Sequence, residues 1–365
     1  MYDIFTKRKF MKFTLDTHIS ALHPSELDIA AKSAIEDLLR EGESANTLAS
    51  YRSALRYWAA WHLMRYGGPI QLPVSVSSIL QFIVDHAQRI TEKGLVSELP
   101  TSIDMALVNG GFKGKLGSLS HNTLVHRIAV LSKAHQIREL TNPCHDYKVR
   151  ELLSRTRKAY AKRGVLPQKK DALTKDPLQL ILASCDDSLR GRRDRALLLF
   201  AWSSGGRRRS EVASADMKFL KRVPNGFTYT LAYSKTNQAG RERPENDKPL
   251  LGSAATAMTA WLDVSGIFEG PIFRQVRKGG HLGPALAAAA VRDIVKYRCA
   301  LSSVNGSFSA HSLRSGFITE AGRQNMPLAE TMAMTGHRSI ATVVGYSRAG
   351  AALSSQVARL FDDFL

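Results

Sequence analysis

The chain has 365 residues, of which 44% are hydrophobic, so it is long and apolar enough to form two domains with buried cores. It carries 51 lysines and arginines against 32 aspartates and glutamates, and the net charge of +19 favours a polyanionic partner, with nucleic acid ahead of a membrane surface. The apolar runs are too short to cross a bilayer, and no apolar segment follows the basic N-terminus as it does in a secretory signal. The three cysteines are scattered, which fits a reducing cytoplasm and argues against structural zinc.

The first half of the chain is predicted to be helical. Residues 1–22 show little periodicity and are interpreted as an N-terminal arm. Residues 23–161 repeat apolar residues at helical spacing without any strand pattern, which predicts a compact helical domain. Its helices are expected near residues 25–41, from Thr47 onward, and at residues 76–90, 103–108, 120–140 and 147–161.

Two of these helices carry polar side chains beside their apolar stripes. The stripe of the helix that begins at Thr47 is predicted to run through Leu48, Tyr51, Leu55, Trp58 and His62. A polar flank is either a solvated surface or a face that reads a DNA groove, and the sequence alone favours the solvated surface. The candidates for groove contacts are Asn46, Thr47, Ser50, Asn122, His126 and Arg127.

Residues 162–173 form a basic, polar run without periodicity, which is interpreted as a linker. Such a run either crosses a phosphate backbone or is an ordinary exposed tether. Residues 174–365 are predicted to form a mainly helical domain with a small antiparallel sheet, in which a strand over 227–233 turns near Lys235 and returns as an edge strand at 248–250. Its helices are predicted from Thr174, which acts as a cap, and at residues 194–202, 254–265, 285–298, 311–323, 328–335, 340–346 and 353–364.

Four short motifs in this second domain contain groups that can cleave a DNA phosphodiester. They are Gly-x-Arg-x-Ser-Glu at residues 206–211, His-x-x-Arg at 311–314, Gly-His at 336–337, and Tyr346, nine residues after His337. The reaction needs a nucleophile, cations that hold the non-bridging oxygens, and an acid that protonates the leaving 5′-oxygen. Arginine suits the cation role because its planar guanidinium binds two phosphate oxygens. Each motif alone is common in proteins, so the prediction rests on their order in one basic chain.

In this order the motifs resemble those of the tyrosine recombinase (phage integrase) family, DNA strand-exchange enzymes with a tyrosine nucleophile. The resemblance covers the second half and, more loosely, the helical first half. The chain is similar to the Cre-like members of the family through Trp-Ala-Ala-Trp at 58–61, Val-Ser-Gly at 264–266 and Val-Arg-Lys at 276–278. It departs from the family pattern at Arg207, where an apolar residue is usual, and from Cre at His337, where Cre has tryptophan.

The resemblance implies a role for each matching residue. Tyr346 would be the nucleophile, and Arg208 and Arg314 would hold the scissile phosphate. Among three consecutive arginines, only the spacing to Glu211 selects Arg208, which Glu211 would support from a buried position. The neighbouring Arg207 and Arg209 are therefore expected to matter less. The remaining catalytic positions would be His311, His337 as a donor to the phosphate, and Lys235, in Ser-Lys-Thr, as the general acid.

The resemblance also implies a reaction and an assembly. The chain would be a site-specific DNA recombinase that cleaves and rejoins strands through a 3′-phosphotyrosyl intermediate and a Holliday junction, without a metal or nucleotide cofactor. Its partners would be double-stranded DNA with inverted-repeat sites and three further copies of itself, joined through an exchange helix at 353–365 that follows a flexible segment at 348–351. Arg277 and Lys278 would contact phosphate. The protein would act at the nucleoid, in the cytoplasm of a bacterium, encoded by the bacterium, a phage or a plasmid.

Two alternatives stay open at this point. A type IB topoisomerase-like enzyme would use the same residues to nick and close DNA without pairing two sites. A DNA-binding regulator descended from the family would bind without cleaving, although the complete set of catalytic residues argues against it. The alanine-rich run at 285–290 has few hydrogen-bond donors for base edges, which predicts that the target site differs from that of Cre.

Overall fold

The computed structural model of the chain describes residues 44–165, 169–232 and 246–351. The chain divides into two compact units, residues 1–167 and residues 168–365, each with its own hydrophobic core. The predicted arm, the helix predicted near 25–41, Lys235 and the predicted exchange helix 353–365 all lie outside the described residues. In the described ranges, no helix has both the length and the apolar character that a membrane span requires.

Helices make up most of the described part of the first unit. Three of them begin at a serine whose side chain accepts a hydrogen bond from the backbone N–H three residues on: Ser44, Ser75 and Ser120. The elements are α1 Ala45–Tyr66, α2 Val76–His86, β1 Arg89–Thr91, β2 Gly94–Val96, α3 Thr101–Asn109, α4 His121–Ile137 and α5 Tyr147–Lys162.

Aromatic side chains of α1 and α2 form the centre of the first core. Trp58 stacks on Phe82 with ring centroids 3.7 Å apart, and Trp61 meets the same ring edge-on at 5.0 Å. Tyr57 and Trp61 are fully buried whereas Leu55 is exposed, so the buried face of α1 shares Trp58 with the predicted stripe but is otherwise rotated from it. Hydrogen bonds explain the difference, because buried Tyr and Trp side chains need polar partners and both find them on α2.

The hairpin β1–β2 shows that the prediction of a strand-free first domain was wrong. Helix α2 ends at His86, where the backbone becomes extended at Ala87, rather than at the predicted residue 90. The two strands have three residues each around a turn at Glu92 and Lys93, and β2 begins at Gly94 with φ of +96°. Runs this short show no periodicity in the sequence. Ile90 and Leu95 pair across the hairpin and are both exposed.

The second unit is mainly helical with a small antiparallel sheet, as predicted, and it also contains a two-stranded sheet that was not predicted. Strands β3, β4 and β5 form one sheet, which includes the predicted edge strand, and β6 pairs with β7. The elements are α6 Lys175–Ala183, α7 Leu189–Ser203, α8 Arg209–Ala213, β3 Leu220–Val223, β4 Gly226–Thr230, β5 Asp247–Leu251, α9 Ser253–Ser265, β6 Arg274–Val276, β7 Leu282–Ala285, α10 Ala288–Leu301, α11 Ala310–Arg323, α12 Leu328–Thr335 and α13 Ile340–Ala351.

Helices α10 and α13 have boundaries that differ from the prediction. Helix α10 begins at Ala288 because Ala285 ends strand β7, and a run of alanines does not mark that change in the sequence. Helix α13 continues past Tyr346 to Ala351, since a single glycine among alanines weakens a helix without ending it. Residues 348–351 are therefore helical rather than the flexible segment expected.

The end of the predicted linker belongs to the second unit. Leu173 is fully buried, and its N–H donates to the carbonyl of Ser312 in α11 at 2.9 Å. Gly316 makes this approach possible, because a Cβ there would lie 1.9 Å from the carbonyl oxygen of Leu173. The chain thus enters the second unit directly beside the helix that carries His311 and Arg314.

Candidate active site

The site is built around a two-glycine turn that follows α7. Gly205 and Gly206 have φ of +95° and +70°, in the left-handed region that favours glycine. A Cβ on Gly205 would lie 2.2 Å from the carbonyl oxygen of Met334, and one on Gly206 would lie 2.4 Å from the Cα of Arg314. The absent side chains let this turn lie directly against α11 and the end of α12.

We expect Gly206→Ala to lower the free energy of unfolding by about 2–4 kcal/mol, the sum of a backbone clash and an unfavourable φ. Chemical denaturation measures the change. Gly266→Ala is the matched control, because Gly266 has φ of +64° and nothing within 4 Å of its would-be Cβ. The control should lose only the backbone contribution of about 1 kcal/mol. Equal losses in both variants would contradict the close approach.

The three consecutive arginines after the turn have different surroundings. Arg207 is 2% exposed, and its Nη2 donates to the carbonyl of Met334 at 2.6 Å. Arg208 is partly exposed, and its Nη1 donates to Glu211 Oε1 at 2.6 Å while its backbone N–H donates to Glu211 Oε2 at 3.1 Å. Arg209 begins α8 and is exposed. The expectation that Arg207→Ala slows cleavage less than Arg208→Ala stays a prediction, and the structure adds that the Arg207 side chain is a buried part of the fold.

Arg314 connects the two-glycine turn to the end of α12. Its side chain is buried; Nη1 donates to the carbonyl of Gly206 at 3.1 Å and Nη2 to the carbonyl of Thr335 at 2.6 Å. The same Nη2 lies 3.2 Å from both ring nitrogens of His337. The structure thus brings together the arginine of His-x-x-Arg and the histidine of Gly-His, as the motif order suggested.

The hydrogen bonds of the Thr335 hydroxyl favour a proton on Nδ1 of His337. The Thr335 hydroxyl donates to the carbonyl of Thr331 at 2.8 Å, so towards His337 Nδ1, also at 2.8 Å, it acts as the acceptor. Nδ1 therefore carries the proton in this assignment, and Nε2 is left as the acceptor beside the guanidinium of Arg314. Donation from Nε2 to a phosphate requires a second proton on the ring.

Tyr346 and His311 meet where α13 packs on α11. The Tyr346 hydroxyl lies 3.3 Å from His311 Nε2, and the Thr319 hydroxyl donates to the Tyr346 carbonyl at 3.4 Å. Val343, on the same helix as Tyr346, is fully buried. Val343 and the Tyr346 carbonyl thus anchor α13. The Tyr346 hydroxyl on this helix faces a ring nitrogen of His311.

Positive charge is concentrated at this site. Burial, together with the neighbouring Arg208 and Arg207, lowers the pKa of Arg314 to about 9, and burial lowers that of Arg207 to about 10. Burial and the charges of Arg314, Arg208 and Arg207 lower the pKa of His337 to about 4. Burial, Arg314 and Arg208 also lower the pKa of His311. Both shifts favour the neutral imidazoles, and an anion placed among these groups would relieve the repulsion between their positive charges.

The lowered pKa of His337 makes the stability of the fold depend on pH. His337 has a pKa of about 4 when folded and about 6.5 when unfolded, so between these values the unfolded chain binds a proton that the folded chain does not. We expect stability to fall as the pH is lowered from about 6.5 towards 4, and His337→Ala to flatten this dependence. Thermal unfolding at several pH values measures it. His281→Ala, at an exposed position, is the control and should leave the slope unchanged.

The predicted DNA-contact residues of the first unit have mixed surroundings. The Ser50 hydroxyl lies 2.9 Å from His126 Nε2, so α1 and α4 bring these two predicted residues together, while Asn46 and Asn122 are exposed and Thr47 is half-buried. Arg127 departs from the prediction, because its guanidinium lies 3.2 Å from the ring centroid of Tyr57 instead of projecting from α4. This stacking is a core contact that a stripe analysis of α4 does not reveal.

In the second unit, the turn between β6 and β7 carries both predicted phosphate contacts. Arg277 and Lys278 are exposed, and the turn is closed by hydrogen bonds from Arg277 N–H to His281 O and from Gly280 N–H to Arg277 O. Sequence reasoning missed the hydroxyl of Thr335 and the buried side chain of Lys248, which donates to the carbonyl of Ala333. A lysine on an alternating edge strand gives no signal of burial, and neither residue belongs to the motifs.

The chain is similar to known proteins in sequence and in fold. The model of the phage integrase family matches residues 171–352. An integrase/recombinase xerD homolog of Selenomonas ruminantium is 28% identical over 319 residues, which cover 86% of this chain and 84% of that protein. A lambda integrase dimer bound to a COC' core site matches the fold with a TM-score of 0.52 and 15% identity, covering 87% of this chain and 93% of that one. A lambda integrase tetramer bound to a Holliday junction matches with a TM-score of 0.51 and 15% identity, covering 86% of this chain and 75% of that one.

Proposed function

Because this chain belongs to the phage integrase family, we propose that it is a site-specific DNA recombinase that cleaves and rejoins strands through a 3′-phosphotyrosyl intermediate. The observation that carries the proposal is the arrangement in the second unit. The Tyr346 hydroxyl lies 3.3 Å from His311 Nε2, and Arg207 and Arg208 share one carboxylate, that of Glu211. Such a site is positively charged, contains a nucleophile, and suits a phosphodiester.

The proposed cleavage step uses these groups in order. His311 Nε2 takes the proton of the Tyr346 hydroxyl as its oxygen attacks the phosphorus. The bond between phosphorus and the 5′-oxygen breaks, its electron pair passes to that oxygen, and Lys235 supplies the proton. Arg208 and Arg314 hold the non-bridging oxygens as negative charge builds. The tyrosyl ester conserves the bond energy, so attack by another 5′-hydroxyl reseals the strand without ATP.

His337 is proposed to join this set only after the substrate has bound. In the free protein its Nε2 has no proton to donate, and its pKa lies near 4 because of burial and the surrounding arginines. A phosphate bound among those arginines favours the charged ring. DNA binding is therefore expected to be accompanied by proton uptake at this residue, and the ring then donates to the phosphate.

The assembly is the second part of the proposal. A relative by fold, lambda integrase, is a tetramer on a Holliday junction, and we extend that arrangement to this chain with residues 353–365 as the exchanged helix. The DNA would carry inverted repeats. The likeness to Cre rests on three short segments. In one of them, Trp58 and Trp61 are core residues and do not face DNA bases. The target sequence is therefore proposed to differ from that of Cre.

One experiment separates the candidate activities. A DNA substrate nicked so that the cleaved fragment diffuses away traps the covalent adduct, which denaturing gel electrophoresis detects. The recombinase forms the adduct and, with two intact sites, a Holliday junction. A nicking-closing enzyme forms the adduct and relaxes supercoiled DNA but forms no junction, and a regulator forms neither product. An absence of adduct on every inverted repeat beside the gene would overturn the proposed function.

Contacts with the phosphate backbone give a prediction at the β6–β7 turn. Replacing both Arg277 and Lys278 with alanine should lower the slope of log K against log salt by about two, because each lost phosphate contact removes about one. Binding to specific and unrelated DNA should weaken alike, since these residues would contact no bases. Fluorescence anisotropy at several salt concentrations measures both. An unchanged slope would remove these residues from the interface.

A further inference from the structure

The C-terminal end of α12 is held by three cations on three consecutive carbonyls. Lys248 Nζ donates to the carbonyl of Ala333 at 2.7 Å, Arg207 Nη2 to that of Met334 at 2.6 Å, and Arg314 Nη2 to that of Thr335 at 2.6 Å. The last carbonyls of a helix have no partner within it, and they lie at the negative end of the helix dipole. Cations therefore suit this position.

The three donors come from three separate parts of the second unit: strand β5, the two-glycine turn and helix α11. Lys248 and Arg207 are each only 2% exposed. Burying a cation is costly unless strong partners replace water, and the nearest carboxylate to Arg207 is Glu211 at 3.8 Å. Gly336 already caps the helix, through its N–H to the carbonyl of Met332 at 2.8 Å. Capping alone therefore does not explain two buried cations.

The clamped carbonyls lie beside the groups that would meet the phosphate. Thr335 accepts from Arg314 through its carbonyl and binds the ring of His337 through its hydroxyl. A shift of the end of α12 would thus move both side chains together. Arg207 moreover follows Gly206 directly and precedes Arg208, so the same clamp fixes the turn from which Arg208 projects.

We propose that Lys248 and Arg207 are positioning residues, which hold the end of α12 so that His337 and Arg314 converge on the scissile phosphate. The inference rests on the proposed function. It assigns a role in catalysis to Lys248, which no motif includes, and to Arg207, which stands where the family usually has an apolar residue. Neither residue touches the phosphate; both act through α12.

A double-mutant cycle tests this role. Lys248→Met removes the charge and the donor but keeps the length of the side chain, and it is made in the wild-type and His337→Ala backgrounds. The readout is the rate of covalent adduct formation at saturating protein, in a single turnover, below the unfolding temperature. We expect Lys248→Met to slow this rate about tenfold in the wild type and only about threefold in the His337→Ala background, because the displacement of Arg314 alone then contributes. Lys248→Arg should restore most of the rate.

Arg298→Met is the matched control. Arg298 is also buried, and its Nη1 donates to the carbonyl of Ser184, the residue that caps the end of α6, at 2.7 Å. It should lower stability without changing the adduct rate of the folded protein. If Lys248→Met fails to fold, Arg207→Lys carries the same cycle, since it keeps a charge but shortens the reach to Met334. Equal slowing in both backgrounds would overturn the positioning role, whereas a wild type that forms no adduct would overturn the proposed function instead.

Discussion

Tyr346→Phe is expected to abolish the covalent adduct while leaving DNA binding intact. The substitution removes one oxygen, the atom that would attack the phosphorus, and loss of a nucleophile lowers turnover by about 1,000-fold or more. The ring of Tyr346 is half-buried between α13 and α11, and phenylalanine fills the same space, so the fold should not change. Denaturing gels with a nicked substrate measure the adduct, and anisotropy measures binding.

A second tyrosine provides the control for this result. Tyr297, on α10, is half exposed, and Tyr297→Phe removes a hydroxyl of the same kind from the same unit. It should form the adduct at the wild-type rate. If the Tyr346→Phe protein still becomes covalently attached to DNA, the nucleophile is another residue. The contact between Tyr346 and His311 would then have no catalytic role.

The elements that carry the site could be predicted because each has a local signal. Pro327 and Gly336 bracket α12, and its predicted bounds, 328–335, are those observed. Alternation from Phe227 onward predicted strand β4. The hairpin at 89–96 left no such signal, since strands of three residues are shorter than the repeat that reveals them. Local sequence pattern therefore located the helices of the candidate site better than the short hairpin of the first unit.

The environment of individual side chains was harder to predict than the elements. The three arginines at 207–209 are identical in the sequence, and only packing separates a buried one, a partly exposed one and an exposed one. Arg127 lies over Tyr57 because α1 presents a different face from the one its stripe suggested. Lys248 is buried against a helix end that is distant in sequence. Contacts of this kind are decided by the tertiary fold, which a periodicity analysis does not contain.

Arg208→Ala and Arg207→Ala are expected to fail in different ways. Arg208 is partly exposed, and its guanidinium contacts Glu211, so its loss should slow adduct formation by at least about 100-fold with a small change in stability. Arg207 is buried, so its loss leaves the carbonyl of Met334 without a donor and should lower the free energy of unfolding by about 2–3 kcal/mol. Single-turnover rates and denaturation curves measure the two effects.

Arg209→Ala completes the comparison, because Arg209 is exposed on α8 and should change neither quantity by much. The outcome decides the register of the motif. If Arg208→Ala cleaved normally and Arg207→Ala were stable but inactive, Arg207 would be the arginine that holds the phosphate. The spacing to Glu211 would then have selected the wrong arginine. If the rates follow the prediction, the residue that differs from the family pattern, Arg207, acts through the fold, and the spacing from Arg208 to Glu211 identifies the arginine that meets the phosphate.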